Sequence, residues 1–361
     1  MLKQQKIFFD FLRFCIGSAK EMPGSLKEAD WKELYAISQK QALLGVLFYG
    51  IQRLPKGLAP EQKLLMQWMV MAQQIRKQNI RLFQNSVKIC QNFENEGFAN
   101  CILKGQGNAL LYPDPYMRTP GDIDIYLLGG RRKIMKYVDQ VCPNQVMRYH
   151  HVDFPVMKTA IEVHFTPSYM FCPIHNRRMQ KWFEEVMGEQ CNHRGSLPDG
   201  YGEIHVPQVS FNVIYILSHL YRHIFTEGIG LRQLLDYYYV LISDDLLLIR
   251  DRVQKELKHL GLWKFAQAVM FVMKEVFGLS EDRMIAPMDE KEGRFLLDEI
   301  MRGGNFGQYD DRSKVDESKI HRYFRMNLRN LRFVKHYPTE AVCEPVFRTW
   351  FAGWKFINRI K

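Results

Sequence analysis

Apolar residues recur at intervals of three and four through most of residues 1–97, and that spacing predicts helices. Two runs carry it: SLKEADWKELYAISQKQALLGVLFYGIQRL, opened by Ser25 as a cap, and APEQKLLMQWMVMAQQIRKQNIRLFQNSVKICQNFENEG, closed by Gly97. The period then changes. NCILKG is a short apolar run ending in glycine, GNALLYP reads as a brief helix, and DIDIYL alternates as a strand. A helix over RRKIMKYVDQVCP follows, then two β-rich runs, QVMRYHHVDFPVM and KTAIEVHFTP, joined by a turn. From PQVSFNVIYILSHLYRHIF onward helical spacing returns through LRQLLDYYYVLI, DDLLLIRDRVQKELKHLGL and WKFAQAVMFVMKEVFG, and the glycine-rich loop RGGNFGQYDDRSK precedes two last helices. The expected fold class is α+β: a small mixed sheet with helical flanks. The expected units are a helical N-terminal region (1–97), an α/β core (98–206) and a helical C-terminal domain with basic last helices (207–361).

Within the strand DIDIYL, Asp122 and Asp124 share a face while Ile123 and Ile125 take the other. Two converging carboxylates repel and lose solvation, so a cation, a shared proton or a basic side chain is expected between them. In the later run AIEVHF the alternation sets Glu162 and His164 opposite Ile161, Val163 and Phe165. If the two strands are neighbours, Asp122, Asp124 and Glu162 make a set of hard oxygen ligands suited to Mg²⁺. Upstream, ILKGQGNALLYP is a strand ending in a glycine turn that opens a helix, a geometry that holds phosphate. Gly105 and Gly107 permit close approach there, and Lys104 and Arg118 add positive charge beside it.

The order of these parts resembles the polymerase-β-like nucleotidyltransferase superfamily. More closely, LKGQGNALLYPDPYMRTPGDIDIYL followed by IEVHF is similar to a family of bacterial nucleotidyltransferases with an L-K-G, Y-P, R and D-I-D pattern and a later strand reading acid-h-H. The similarity is strong over residues 101–166 and looser around LRQLLDYYYVL. It implies that Asp122 and Asp124 hold Mg²⁺ (or Mn²⁺), that Glu162 is the third carboxylate, and that Lys104-Gly105 sit at the phosphates of a nucleoside triphosphate, with Arg118 at the family's arginine position. The implied activity is transfer of a nucleoside monophosphate to an unidentified acceptor. A non-catalytic nucleotide- or RNA-binding protein and a small-molecule phosphotransferase are the alternatives on the same core. The chain departs from the broader superfamily in carrying Gln106 where a Gly or Ser usually follows the glycine.

Net charge is +11, which favours anionic partners. Much of the excess lies at the C-terminus, where Arg322, Arg325, Arg329 and Arg332 recur at helical spacing as a stripe suited either to solvent or to a nucleic-acid contact. Seven scattered cysteines argue for reduced thiols and a cytoplasmic location. The most apolar stretch, VSFNVIYILSHLYRHIF, is interrupted by Asn212, His219, Arg222 and His223, so no membrane span is expected. Cys172, His175, Cys191 and His193 form a C-x2-H plus C-x-H set, tight in its second spacing for structural zinc. His219 and His223, one helical turn apart, read as packed histidines, and Asp236 as a helix–helix polar contact.

Overall fold

The structure is a computed structural model that describes residues 3–310, 312 and 319–358, and side chains over that span except those of 319–324. Four helices come first: α1 (Lys3–Ile16), α2 (Trp31–Lys40), α3 (Leu44–Ile51) and α4 (Gln62–Asn95). The single apolar run from Ser25 breaks into α2 and α3. Asp30 caps α2 through its side chain, and Ala42, at a φ of 56°, turns the chain before α3. The sheet region holds β1 (Asn100–Ile102), the one-turn α5 (Gln106–Ala109), β2 (Ile123–Leu127), α6 (Gly130–Val141), β3 (His151–Asp153) and β4 (Ile161–His164). Next come α7 (Pro173–Gln190), a small hairpin of β5 (Arg194–Ser196) with β6 (Glu203–His205), and α8 (Val209–Thr226), α9 (Leu231–Leu241), α10 (Asp245–His259), α11 (Trp263–Phe277) and α12 (Glu290–Gly303). The last are α13 (Lys319–Val334) and α14 (Pro338–Ile357).

The main sheet has the order β1-β2-β4-β3, with β2 and β4 parallel and both edges antiparallel to their neighbours. It is therefore mixed, as expected. Its odd face, Ile123, Ile125, Leu127, Ile161 and Val163, packs on Leu82, Phe83, Ile89 and Phe93 of α4 and on Ile134 and Val138 of α6. Each such side chain contributes roughly 1.5–3 kcal/mol on leaving water, which is what pins the strand register and forces the acidic positions to the other side. A second, larger apolar core takes side chains from α1 and α3 together with α8 through α12, so the first and last helical regions share one interior. The N-terminal half of α4 enters that core through Trp68 and Ile75.

Helix α8 is buried on every side, polar residues included: Asn212, His219, Arg222 and His223 are all under one-tenth exposed. A buried polar side chain needs a partner: Arg222 touches His219 and His223 of the same helix, His223 Glu227, Asn212 Asn108, and His219 also Lys104. No helix among the described residues is long and apolar enough to cross a membrane.

Candidate active site

The charge expected between the aspartates is Lys104. The residue before it, Leu103, donates its N–H to the Asp124 carbonyl (2.9 Å), and this extension of the β1–β2 pairing sets the Lys104 ammonium 3.0 Å from Asp124 Oδ1. Asp124 is 1% exposed and receives a second contact on the same oxygen from His164 Nε2, also at 3.0 Å. Burial alone would push its carboxyl up, but Lys104 and the His164 hydrogen bond hold it well below the usual carboxylate range. Lys104 shows the mirror effect: burial works against the ammonium, yet Asp124 and Asp122 hold it above its ordinary range. Asp122 stands just before β2, and repulsion from Asp124, reinforced by burial, raises it to about 6.

Pairing of β2 with β4 sets Asp124 directly beside Glu162 and Tyr126 beside His164. One atom each from Asp124, Glu162 and His164 lies within 4.8 Å of the others. Asp122 is outside that cluster, although it lines the same cleft, so the structure brings together two of the three expected carboxylates and leaves the third at the rim. The second oxygen of Asp124, Oδ2, is buried and accepts no hydrogen bond. Pairing of β3 with β4 adds His151 opposite His164 and Asp153 opposite Glu162. His150 and His151 are driven to the neutral form by burial, His151 down to about 2, whereas His164 is raised above its ordinary value because bonds to Asp124 and Glu162 outweigh its burial.

The glycine turn is built as its residues require. Gly105 has φ 62° and ψ −105°, a backbone state side chains avoid, and a Cβ on Gly107 would stand 3.1 Å from Val206 Cγ1. Gln106 does not simply replace a small residue; its Nε2 reaches the Asp122 carbonyl at 3.5 Å and ties the turn to the aspartate segment. Arg118 is 4% exposed and its fork is engaged: Nε donates to Asp236 Oδ1 and Nη2 to Oδ2, both at 2.8 Å, while the Tyr112 hydroxyl donates to Oδ1 at 2.7 Å. Asp236 thus joins helix α9 to the segment leading into β2, rather than helix to helix. Arg232 donates to the Thr119 carbonyl at 3.2 Å and holds the same segment from another side.

The remaining candidates are placed as follows. Cys172 and His175 converge with Glu340, on α14, while His193 bonds through Nδ1 to the Val206 carbonyl, so the proposed C-x2-H and C-x-H halves do not meet among the described residues. His219 and His223 are packed, with ring centroids 4.3 Å apart and Arg222 Nη2 in contact with both. In the arginine stripe, Arg329 donates to the carbonyls of Thr226 and Ile224 at the end of α8, and Arg332 pairs with Glu299 of α12. Those two arginines dock α13 inward instead of facing solvent. The Arg322 side chain lies outside the described residues.

Asp122 and Glu162 open on one side to a cavity of about 610 Å³, bordered also by Lys104, His150 and His151 and walled by Arg222 of α8 and by α14. Reading the sequence alone passes over His150, His151 and Arg222. The doublet HH two residues ahead of an aspartate, in a strand predicted to pair with E-x-H, was the available signal for the first two. Nothing in the spacing of α8 marks Arg222.

No curated protein matches the chain. A family model described as an uncharacterised nucleotidyltransferase matches residues 27–278, which include the whole sheet, the glycine turn and helix α8. The match covers well over half of the chain, and the protein belongs to that nucleotidyltransferase family.

Proposed function

We propose that the protein moves a nucleoside monophosphate from a nucleoside triphosphate to an acceptor hydroxyl, with Mg²⁺ or Mn²⁺, and releases pyrophosphate. The observation that carries this reading is the pairing of Asp124 with Glu162 on parallel strands, together with a buried Asp124 oxygen that has no partner. An oxygen-rich site of that kind fits a hard divalent ion held by Asp124, Glu162 and, from the rim, Asp122. When bound, the ion neutralises charge on the attacking and leaving oxygens. The chain's own residues do the rest. Lys104 and the turn at Gly105 to Gly107 meet the phosphates, and one of the three carboxylates accepts the acceptor's proton as its oxygen bonds to the α-phosphorus and the α–β bridge breaks. Arg118 lines the cleft with its fork on Asp236, so it adds charge at short range and holds the 119–122 segment that delivers Asp122.

The test is incubation with labelled ATP, CTP, GTP and UTP, Mg²⁺ or Mn²⁺, and pools of RNA, protein and small-molecule acceptors, read by mass spectrometry. Wild type should give products heavier by a nucleoside monophosphate, and Asp122→Ala/Asp124→Ala should give none. Equal transfer by both proteins would remove the assigned site. A product heavier by a phosphate alone would make the protein a phosphotransferase, and nucleotide or RNA binding that ignores the aspartates would make it a binding module.

A further inference from the structure

We infer that His150, His151, His164 and Glu162 form a second cation site beside the aspartates, one suited to Zn²⁺ rather than to Mg²⁺. The site shares Glu162 with the carboxylate set of the proposed function, but it needs neither nucleotide nor turnover to exist. Strand pairing builds it. The β3–β4 register sets His151 across from His164, and His150 turns its ring against both, with centroids 4.4 Å from His151 and 5.1 Å from His164. The polar edges touch in series: His151 Nδ1 is 3.2 Å from His150 Nε2 and 3.3 Å from Glu162 Oε2, and that oxygen is 3.6 Å from His164 Nε2.

Those three contacts are close to what a tetrahedral ion imposes, and one atom each from His150, His151 and His164 lies within 4.8 Å of the others. Metal–ligand bonds of about 2.0–2.1 Å place neighbouring ligand atoms about 3.3 Å apart. Three imidazole nitrogens and one carboxylate oxygen are a borderline donor set, which Mg²⁺ disfavours and Zn²⁺ accepts.

His150, His151 and His164 are 5%, 7% and 1% exposed, so three imidazoles share one buried spot. Three imidazoles packed together without an ion are an expensive way to fill an interior that aliphatic side chains would fill better. The ion has a route in, because His150, His151 and Glu162 all border the 610 Å³ cavity.

The experiment uses full-length protein, stripped with a chelator and titrated with Zn²⁺ in millimolar Mg²⁺, with Co²⁺ as the spectroscopic substitute. The expected result is one tightly held Zn²⁺ that Mg²⁺ does not displace, visible Co²⁺ bands of tetrahedral or five-coordinate intensity, and retention of both in Asp122→Asn. His151→Ala and His164→Gln should weaken Zn²⁺ by more than the roughly 10–100-fold that outer partners contribute. Zinc-edge absorption of the wild-type protein adds a reading that needs no variant, and imidazole scattering should dominate it. Failure to bind Zn²⁺ in the presence of Mg²⁺, binding indifferent to both histidine substitutions, or an edge spectrum without imidazole would each overturn the site. Loss of nucleotide transfer in Asp122→Asn with Zn²⁺ still bound would separate this site from the transfer chemistry.

Discussion

Replacing Asp236 by alanine tests how the cleft is held in place. Asp236 and Arg118 are each 4% exposed, and the carboxylate accepts two parallel guanidinium bonds of 2.8 Å and the Tyr112 hydroxyl at 2.7 Å. Removing it strands a guanidinium in the interior, which typically costs about 3–5 kcal/mol, and leaves the tyrosine hydroxyl without its acceptor, about 1 kcal/mol more. Asp236→Asn keeps one acceptor oxygen and should lose less than Asp236→Ala. The double variant Arg118→Met/Asp236→Leu removes both charges and should recover most of the loss, since well-packed apolar pairs often equal buried ion pairs. Urea unfolding at neutral pH, followed by fluorescence and by circular dichroism, reads these differences from the midpoint at constant slope. Asp236→Ala within about 1 kcal/mol of wild type, well under the pair-breaking cost, would refute the argument, as would a double variant no better than the single one. The double variant also separates two roles of Arg118. An unchanged KM for the nucleotide would assign it to holding the 119–122 segment, and a large rise in KM would put it on the phosphates.

Three further outcomes are expected. Gly105→Ala forces a side chain into φ 62°, ψ −105° and should cost about 1–3 kcal/mol in a thermal or urea melt, with nucleotide affinity falling as Lys104 shifts; an unchanged melting temperature would contradict the strain. Lys104→Met removes the cation beside Asp124, so the metal-free protein should lose about 3 kcal/mol and gain more from added Mg²⁺ or Mn²⁺ than wild type does; equal metal-induced shifts in Tm would count against the shared role. Acidification should destabilise the fold. His150, His151 and His219 are held neutral by burial, so between the unfolded value near 6.5 and their depressed folded values the unfolded chain binds more protons, and stability falls as pH drops. Each contributes up to about 2 kcal/mol of loss at pH 5. The raised His164 and Asp122 oppose it, because both favour the fold when protonated. A melting temperature at pH 5 equal to or above that at pH 7.5 would contradict the sum.

Strand alternation is a local property, and it was enough to put Asp124 and Glu162 on the polar faces of β2 and β4 and the isoleucines on the other. Register is not local. Nothing in DIDIYL or IEVHF says that the strands run side by side and parallel, or that Asp124 rather than Asp122 stands level with Glu162. The arginine stripe of α13 illustrates a second limit. Amphipathic spacing marks a polar face without saying what it meets, and here Arg329 and Arg332 meet carbonyls of α8 and a glutamate of α12. Arg118 illustrates a third, since a charge near an anion site in sequence was free to be claimed by Asp236, more than a hundred residues later.

Helix α14 begins sixty residues after the family match ends at residue 278, yet Phe347, Arg348, Phe351 and Lys355 from it line the cavity beside Asp122 and Glu162. The wall of that cavity is therefore shared between residues inside the match, Arg222 among them, and residues beyond it. Exchanging residues beyond 278 between members of the family should alter which molecule is admitted while leaving the reacting groups in place.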